Sequence, residues 1–253
     1  MKIVIIGAGN VASHLAKALH AAQLQIVQVW SYHHKNAVEL ANQVDAKAIE
    51  KLAELDLQAD VCLIAVKDDA ISEIANELAG FKGLIAHTSG AANLNVFAAG
   101  FENYGVFYPL QTFSKSKKIN FSNIPICLEA NSDVALQLLK SLGHKLSNTV
   151  KEVDSEKRKV LHLAAVFACN FTNHLYALAE EILAANAIDF DIIRPLISET
   201  ASKVQEALPL EVQTGPAVRR DEVTLSKHIE LLQKQPQLLE IYKTLSESIK
   251  KTR

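Results

Sequence analysis

The chain has 253 residues, 49% hydrophobic and 21% charged, which is apolar material for one large domain or two ordinary ones. A formal net charge of −2 excludes a general nucleic-acid binder, which needs a basic face to meet phosphates. Cys62, Cys127 and Cys169 are far apart, odd in number and set in apolar runs, a pattern of buried free thiols in a reducing cytoplasm and not of a disulfide frame or metal site.

The opening apolar run, Lys2–Ile6, is too short for a signal peptide and passes directly into Gly7-Ala8-Gly9, so it reads as a strand. A helix is predicted over residues 11–21, a strand over 26–30, a helix over 37–43 and a strand over 61–66. Next come a helix over 70–78, strands over 84–87, 104–108 and 124–128, and a helix over 133–142. Alternating strands and helices imply βαβ units and a mostly parallel sheet. From about residue 154 the pattern is helical alone, with helices over 156–185, 191–207, 224–233 and 236–250, the last opened by Pro236. The fold class is therefore α/β: a Rossmann doubly wound parallel sheet in residues 1–151, followed by an all-helical domain in 152–253. The most membrane-like stretch, 161–179, is interrupted by His162, Asn170, Asn173 and His174 and falls short of the roughly 20 apolar residues of a span. No membrane partner is expected, and the cytoplasm follows by elimination.

The strongest motif is Gly7-Ala8-Gly9-Asn10-Val11-Ala12, a G-x-G-x-x-A between a strand and a helix. Gly7 permits the tight turn, Gly9 lets backbone approach a pyrophosphate, and Ala12 lets the helix pack closely. Asn10 and Val11 open that helix, whose free N–H groups favour an anion. An NAD site carries an acidic residue about 20 positions later, on the ribose hydroxyls. Here that place holds Ser31, Tyr32, His33, His34 and Lys35, which accept a 2′-phosphate better than a carboxylate does, so NADP is the expected cofactor. Ala65-Val66-Lys67-Asp68-Asp69 and His87-Thr88-Ser89-Gly90 follow strands at the ends where open α/β sheets bind ligands, and either is a candidate to line the nicotinamide end of the cofactor. Ser89 and Asp69 are equally ordinary capping residues.

Residues 161–174 are apolar almost all round, as in a helix buried within a domain or at a dimer interface. His162, Asn170 and Asn173 share one stripe at about 100° per residue, but His162 stands roughly 12–16 Å along the axis from the asparagines. They are the candidate catalytic groups, with Gln111, His174 and Arg219 as candidate substrate contacts. The competing reading is a set of helix-to-helix hydrogen bonds. For Arg219, beside Gly215-Pro216, it is a surface turn whose Asp221 or Thr224 caps the next helix.

A G-x-G-x-x-A domain followed by a helical domain resembles the pyrroline-carboxylate reductase, hydroxyacid dehydrogenase, ketopantoate reductase and 6-phosphogluconate dehydrogenase-like group. Val106-Phe107-Tyr108-Pro109-Leu110-Gln111-Thr112-Phe113-Ser114, the stretch from His162 to Tyr176, and Thr214-Gly215-Pro216-Ala217 resemble more closely a branch of NADP oxidoreductases called deazaflavin-dependent-like, whose C-terminal domain has no known function. The resemblance covers the whole chain and implies a helical domain that dimerises, with a cleft between domains. Two departures stand out. Tyr32 replaces the arginine that relatives use for the 2′-phosphate, and no lysine lies in the apolar helix where dehydrogenases of the group keep a catalytic one. The expected function is an NADPH-dependent reductase of a small C=O or C=N substrate, acting as a homodimer, with His162 as proton donor or anchor. Alternatives are a non-catalytic nucleotide sensor and an enzyme with a deazaflavin as second redox partner.

Overall fold

The computed structural model describes residues 1–252 and divides the chain into two compact units, residues 1–169 and the part from Asn170 onward. In the first unit β1 (Lys2–Ile6), α1 (Asn10–Ala21), β2 (Gln25–Trp30), α2 (His34–Asn42) and β3 (Lys47–Ile49) form the first half of a doubly wound sheet. The second half comprises β4 (Val61–Ile64), α3 (Ile71–Glu77), β5 (Leu84–His87), β6 (Tyr104–Pro109), β7 (Ile126–Ala130), α4 (Asp133–His144) and β8 (Val150–Glu152). Strand order is β3-β2-β1-β4-β5-β6-β7-β8, parallel throughout except where β7 runs antiparallel to β6.

β1 shows why both faces are covered. Ile3 and Ile5 join the core beneath α1, α2 and α4, while Val4 and Ile6 join the opposite core with α3. All four are wholly buried, so the strand reads as a continuous apolar run, as parallel strands between helix layers do. The order reverses between β1 and β4, which puts the ends of those strands at the topological switch point. Two short elements differ from the sequence pattern. β3 and β8 have three residues each, too few to register as a period, and they are placed by pairing with β2 and β7.

The helix predicted over 156–185 is α5 (Ser155–Ala165), a π turn at Val166–Phe171, and α6 (Thr172–Ala184). Its expected burial is not met within this chain: Leu163 is 57% and Phe167 63% exposed. Cys169 is likewise exposed, whereas Cys62 and Cys127 are buried as expected. In the second unit α7 (Arg194–Glu206), α8 (Glu222–Leu231) and α9 (Pro236–Lys251) follow α6. His228 on α8 meets the Tyr242 hydroxyl on α9 at 2.8 Å, and Lys250 bridges to Glu222. Among the described residues no helix is long and apolar enough to cross a membrane.

α5 stays with the sheet because of Arg158. Its side chain is wholly buried, pairs with Glu129 on β7 and donates to the Ser155 hydroxyl and the Ala92 carbonyl. Ser155 in turn donates to Glu129 at 2.7 Å and accepts from the Leu94 N–H. Removing one partner of a buried pair leaves the other charge uncompensated, at about 3–5 kcal/mol. Arg158→Met is expected to lower stability by about that amount in urea unfolding; a loss below about 1 kcal/mol would mean that the pair does not anchor α5.

Candidate functional site

Three backbone hydrogen bonds shape the switch point. Gly7 N–H donates to the Trp30 carbonyl, Ala65 N–H to Ile6 and Thr88 N–H to Ile64, so the chains leaving β1, β4 and β5 fan out side by side. Gly7 has φ +118°, and a β-carbon there would lie 2.3 Å from the Ala65 oxygen. That position accepts glycine alone. Above Gly9 nothing stands within 4 Å of where a β-carbon would be, so backbone faces open space. Ala12 is buried below, where α1 packs on the sheet.

A cavity of about 720 Å³ opens over these turns, lined by Gly7, Gly9, Asn10, Val11, Ser31, Tyr32, His33, Ala65, Val66, Lys67, Thr88, Ser89, Gly90, Tyr108, Gln111, Phe113 and His162 among others. α1 begins at its mouth with no side-chain cap on Gly9, and its first intrahelical bond is Ser13 N–H to the Gly9 carbonyl. The N–H groups before it are left without helical partners at the positive end of the helix dipole. The loop after β6 is tied over this end: Asn10 Nδ2 donates to the Phe113 carbonyl, and His14 Nε2 lies 2.8 Å from the Ser114 carbonyl. An open glycine surface, free helix N–H groups and a turn with no room for a β-carbon fit a dinucleotide pyrophosphate.

A family model described as "NADP oxidoreductase coenzyme F420-dependent" matches residues 2–87, and one described as a "domain of unknown function (DUF2520)" matches 124–249. A crystal structure from Bacteroides fragilis, assigned by name to the NADP oxidoreductases, is 45% identical, with TM-score 0.94 over 99% of this chain and 98% of that one. This chain belongs to that NADP oxidoreductase family. Its cofactor is NADP, and the fold is shared further afield. An imine reductase from Myxococcus stipitatus in complex with NADP+ gives TM-score 0.68 at 15% identity, over 99% of this chain and 93% of that one. A 1-pyrroline-5-carboxylate reductase from Streptococcus pyogenes gives 0.66 at 15%, over 99% and 98%. No curated protein matches the chain.

Within this family member the sequence-predicted residues are distributed unevenly. Gly7, Gly9, Asn10, Val11, Ser31, His33, Ala65, Val66, Lys67, Thr88, Ser89, Gln111 and His162 share the cavity. His34 and Lys35 are exposed on the first turn of α2, outside the lining, and His34 Nδ1 lies 3.3 Å from the Ile49 carbonyl. Tyr32 is 81% exposed at the cavity rim, edge-on to Trp30 and His33. The Thr88 and Ser89 hydroxyls are both committed to backbone, the first donating to Ile64 and the second accepting from Ala91 and Ala92. Asn170, Asn173, His174 and Arg219 belong to the second unit and are exposed there. Asp221 caps α8 by accepting from the Thr224 N–H, so the turn beside Arg219 has its own structural task.

The sequence places Gly90 in the turn after β5, a candidate cofactor wall, but gives Tyr108 no role of its own. Tyr108 closes β6, and its hydroxyl stands 3.1 Å from Nδ1 of His162. The available signal is position, since Tyr108 ends a predicted strand. Behind the site, His87 ends β5 wholly buried, with Nδ1 accepting from the Ser89 N–H. Burial, reinforced by the Arg158 charge, lowers its pKa to about 4. His87 is thus neutral when folded and takes up a proton more readily when unfolded. Its contribution is fully present above about pH 6.5 and is lost as pH falls through about 4, a change on the order of 3 kcal/mol. Urea unfolding at pH 7.5, 5.5 and 4.5 is expected to show a steeper acid loss in the native protein than in His87→Gln. Identical slopes would show that His87 is not held neutral.

Proposed function

We propose that the protein reduces a small C=O or C=N compound with NADPH, using His162 as the proton donor. The observation that carries this reading is the presence of an imidazole in the same cavity as the glycine turn, on the side lined by Tyr108, Gly90 and Gln111. When bound, NADPH supplies a hydride. The protein then has to hold the acceptor and deliver a proton to its heteroatom. Among the lining residues His162 is suited to that delivery, since an imidazole carries a transferable proton on a ring nitrogen and already meets the Tyr108 hydroxyl through the other. Gln111, which also lines the cavity, supplies an amide for a polar substrate group. Asn170, Asn173, His174 and Arg219, exposed on the second unit, are proposed as its candidate substrate contacts. Backbone at Gly7, Gly9, Asn10 and Val11 would hold the pyrophosphate, and Ser31, His33, His34 and Lys35 would meet the 2′-phosphate.

The protein acts in this reading as a homodimer joined through its C-terminal helices. Ile192, Leu196 and Leu208 are 72%, 65% and 69% exposed in the second unit, large apolar side chains that a partner subunit would cover. The imine and pyrroline-carboxylate reductases that share the fold put C=N compounds first in a substrate screen.

Calorimetric titration is expected to show tighter binding of NADPH than of NADH, and NADPH oxidation is expected with at least one imine or carbonyl compound. His162→Gln should retain nucleotide affinity while kcat falls by about two orders of magnitude. Binding of NADPH with no turnover across such a screen would favour the sensor instead, and failure to bind either nucleotide would remove both.

A further inference from the structure

The same end of the cavity shows how His162 is held. The rings of Tyr108 and His162 meet edge to face, 6.1 Å apart at 73°. The backbone of Gly90 lies against both where they meet: a β-carbon there would lie 2.7 Å from Nδ1 of His162 and 2.8 Å from Cζ of Tyr108. Any other residue at position 90 must push one ring aside. From the helix side, Arg158 stands one turn before His162 on the same face of α5 and is pinned to Glu129 and Ser155. The ring is therefore fixed from two directions, by its own helix and by the strand end that it faces.

We infer that Tyr108 is a positioning residue for the reduction: its hydroxyl holds Nδ1 of His162, in a slot that glycine at position 90 leaves open, so that Nε2 is the nitrogen presented to substrate. A phenol suits this task because it both donates and accepts. Burial lifts Tyr108 to about 12, so its hydroxyl keeps its proton near neutrality. When His162 is an imidazolium, Nδ1–H donates to the Tyr108 oxygen; when Nδ1 is bare, the Tyr108 O–H donates to it. The contact survives in either state.

The inference rests on the reductase reading, and its proton step balances. The Nε2–H bond of the imidazolium breaks and its electron pair stays on nitrogen. The proton joins the substrate heteroatom, which receives the π pair of the double bond, while the new C–H pair comes from the cofactor. His162 is left neutral with Nδ1–H still on Tyr108, and solvent restores the proton at Nε2. Tyr108 neither gains nor loses a proton.

Two variants test it, Tyr108→Phe and Gly90→Ala, the second of which displaces the pair while keeping both functional groups. The first readout needs no turnover: nitrogen-15 spectra of histidine-labelled protein, alone and with NADP+. In both variants the Nδ1 resonance of His162 is expected to move by many line widths. In steady state kcat should fall about ten- to a hundredfold, with KM for substrate and the NADPH Kd within about threefold of the native values. The solvent deuterium effect on kcat should rise as proton delivery becomes slow. A merely structural role would instead weaken nucleotide binding and leave the solvent effect unchanged. An unmoved Nδ1 resonance, or a kcat within about twofold of native in Tyr108→Phe, overturns the inference. If the native protein oxidises no NADPH with any imine or carbonyl compound, the reductase reading fails and the pair has no catalytic meaning, while the Nδ1 resonance still decides whether the pair exists.

Discussion

Everything in the first unit is arranged around one close approach, the passage of Gly7 under the Ala65 carbonyl. A β-carbon at position 7 would sit 2.3 Å from that oxygen, so β1 and β4 can leave the sheet side by side only with glycine there. Because the strand order reverses at this pair, the two chains diverge and leave a crevice instead of a packed seam. α1 starts immediately after the turn, its unpaired N–H groups at the crevice mouth, and the loop after β6 is tied over it by Asn10 and His14. The crevice is thus a by-product of how two buried strands end.

A second constraint works from beneath. A wholly buried guanidinium is costly unless paired, and Arg158 meets the requirement by joining three segments: β7 through Glu129, the turn after β5 through Ala92, and the start of α5 through Ser155. β7 runs antiparallel to β6, and β8 follows it in parallel. Burial, reinforced by the Arg158 charge, keeps His87 neutral, and His87 accepts from the Ser89 N–H that precedes Gly90. Packing and electrostatics behind the sheet thereby fix the wall in front of it.

Much of this was legible in the residues. The βαβ alternation, the glycine turn and the helical second half follow from local periodicity, and α9 starts at Pro236 where the pattern places it. Three-residue strands such as β3 have no period to read and exist because a neighbour pairs with them. The 155–184 segment reads as one apolar helix, yet the spacing of apolar residues cannot reveal a π turn, nor what covers Leu163 and Phe167. The glycine and strand-end residues of the site are local signals and reappear in the cavity. The polar stripe is different. A shared helix face places residues around an axis but says nothing of what lies opposite, so His162 faces the cavity while Asn170 and Asn173 fall in the other unit. Tyr108 escaped notice because its importance comes from a partner 54 positions away.

The glycine that lies against the two rings also constrains how such a protein can change over time. Position 90 carries no functional group, yet it sets the room in which Tyr108 and His162 meet. The three positions therefore form one evolutionary unit. A lineage that gave up the histidine or the tyrosine would release position 90 to drift, whereas one that first acquired a side chain there would have no intact pair left to preserve. The loss is easier than the return, because restoring the contact requires the glycine to come back before the two rings can meet.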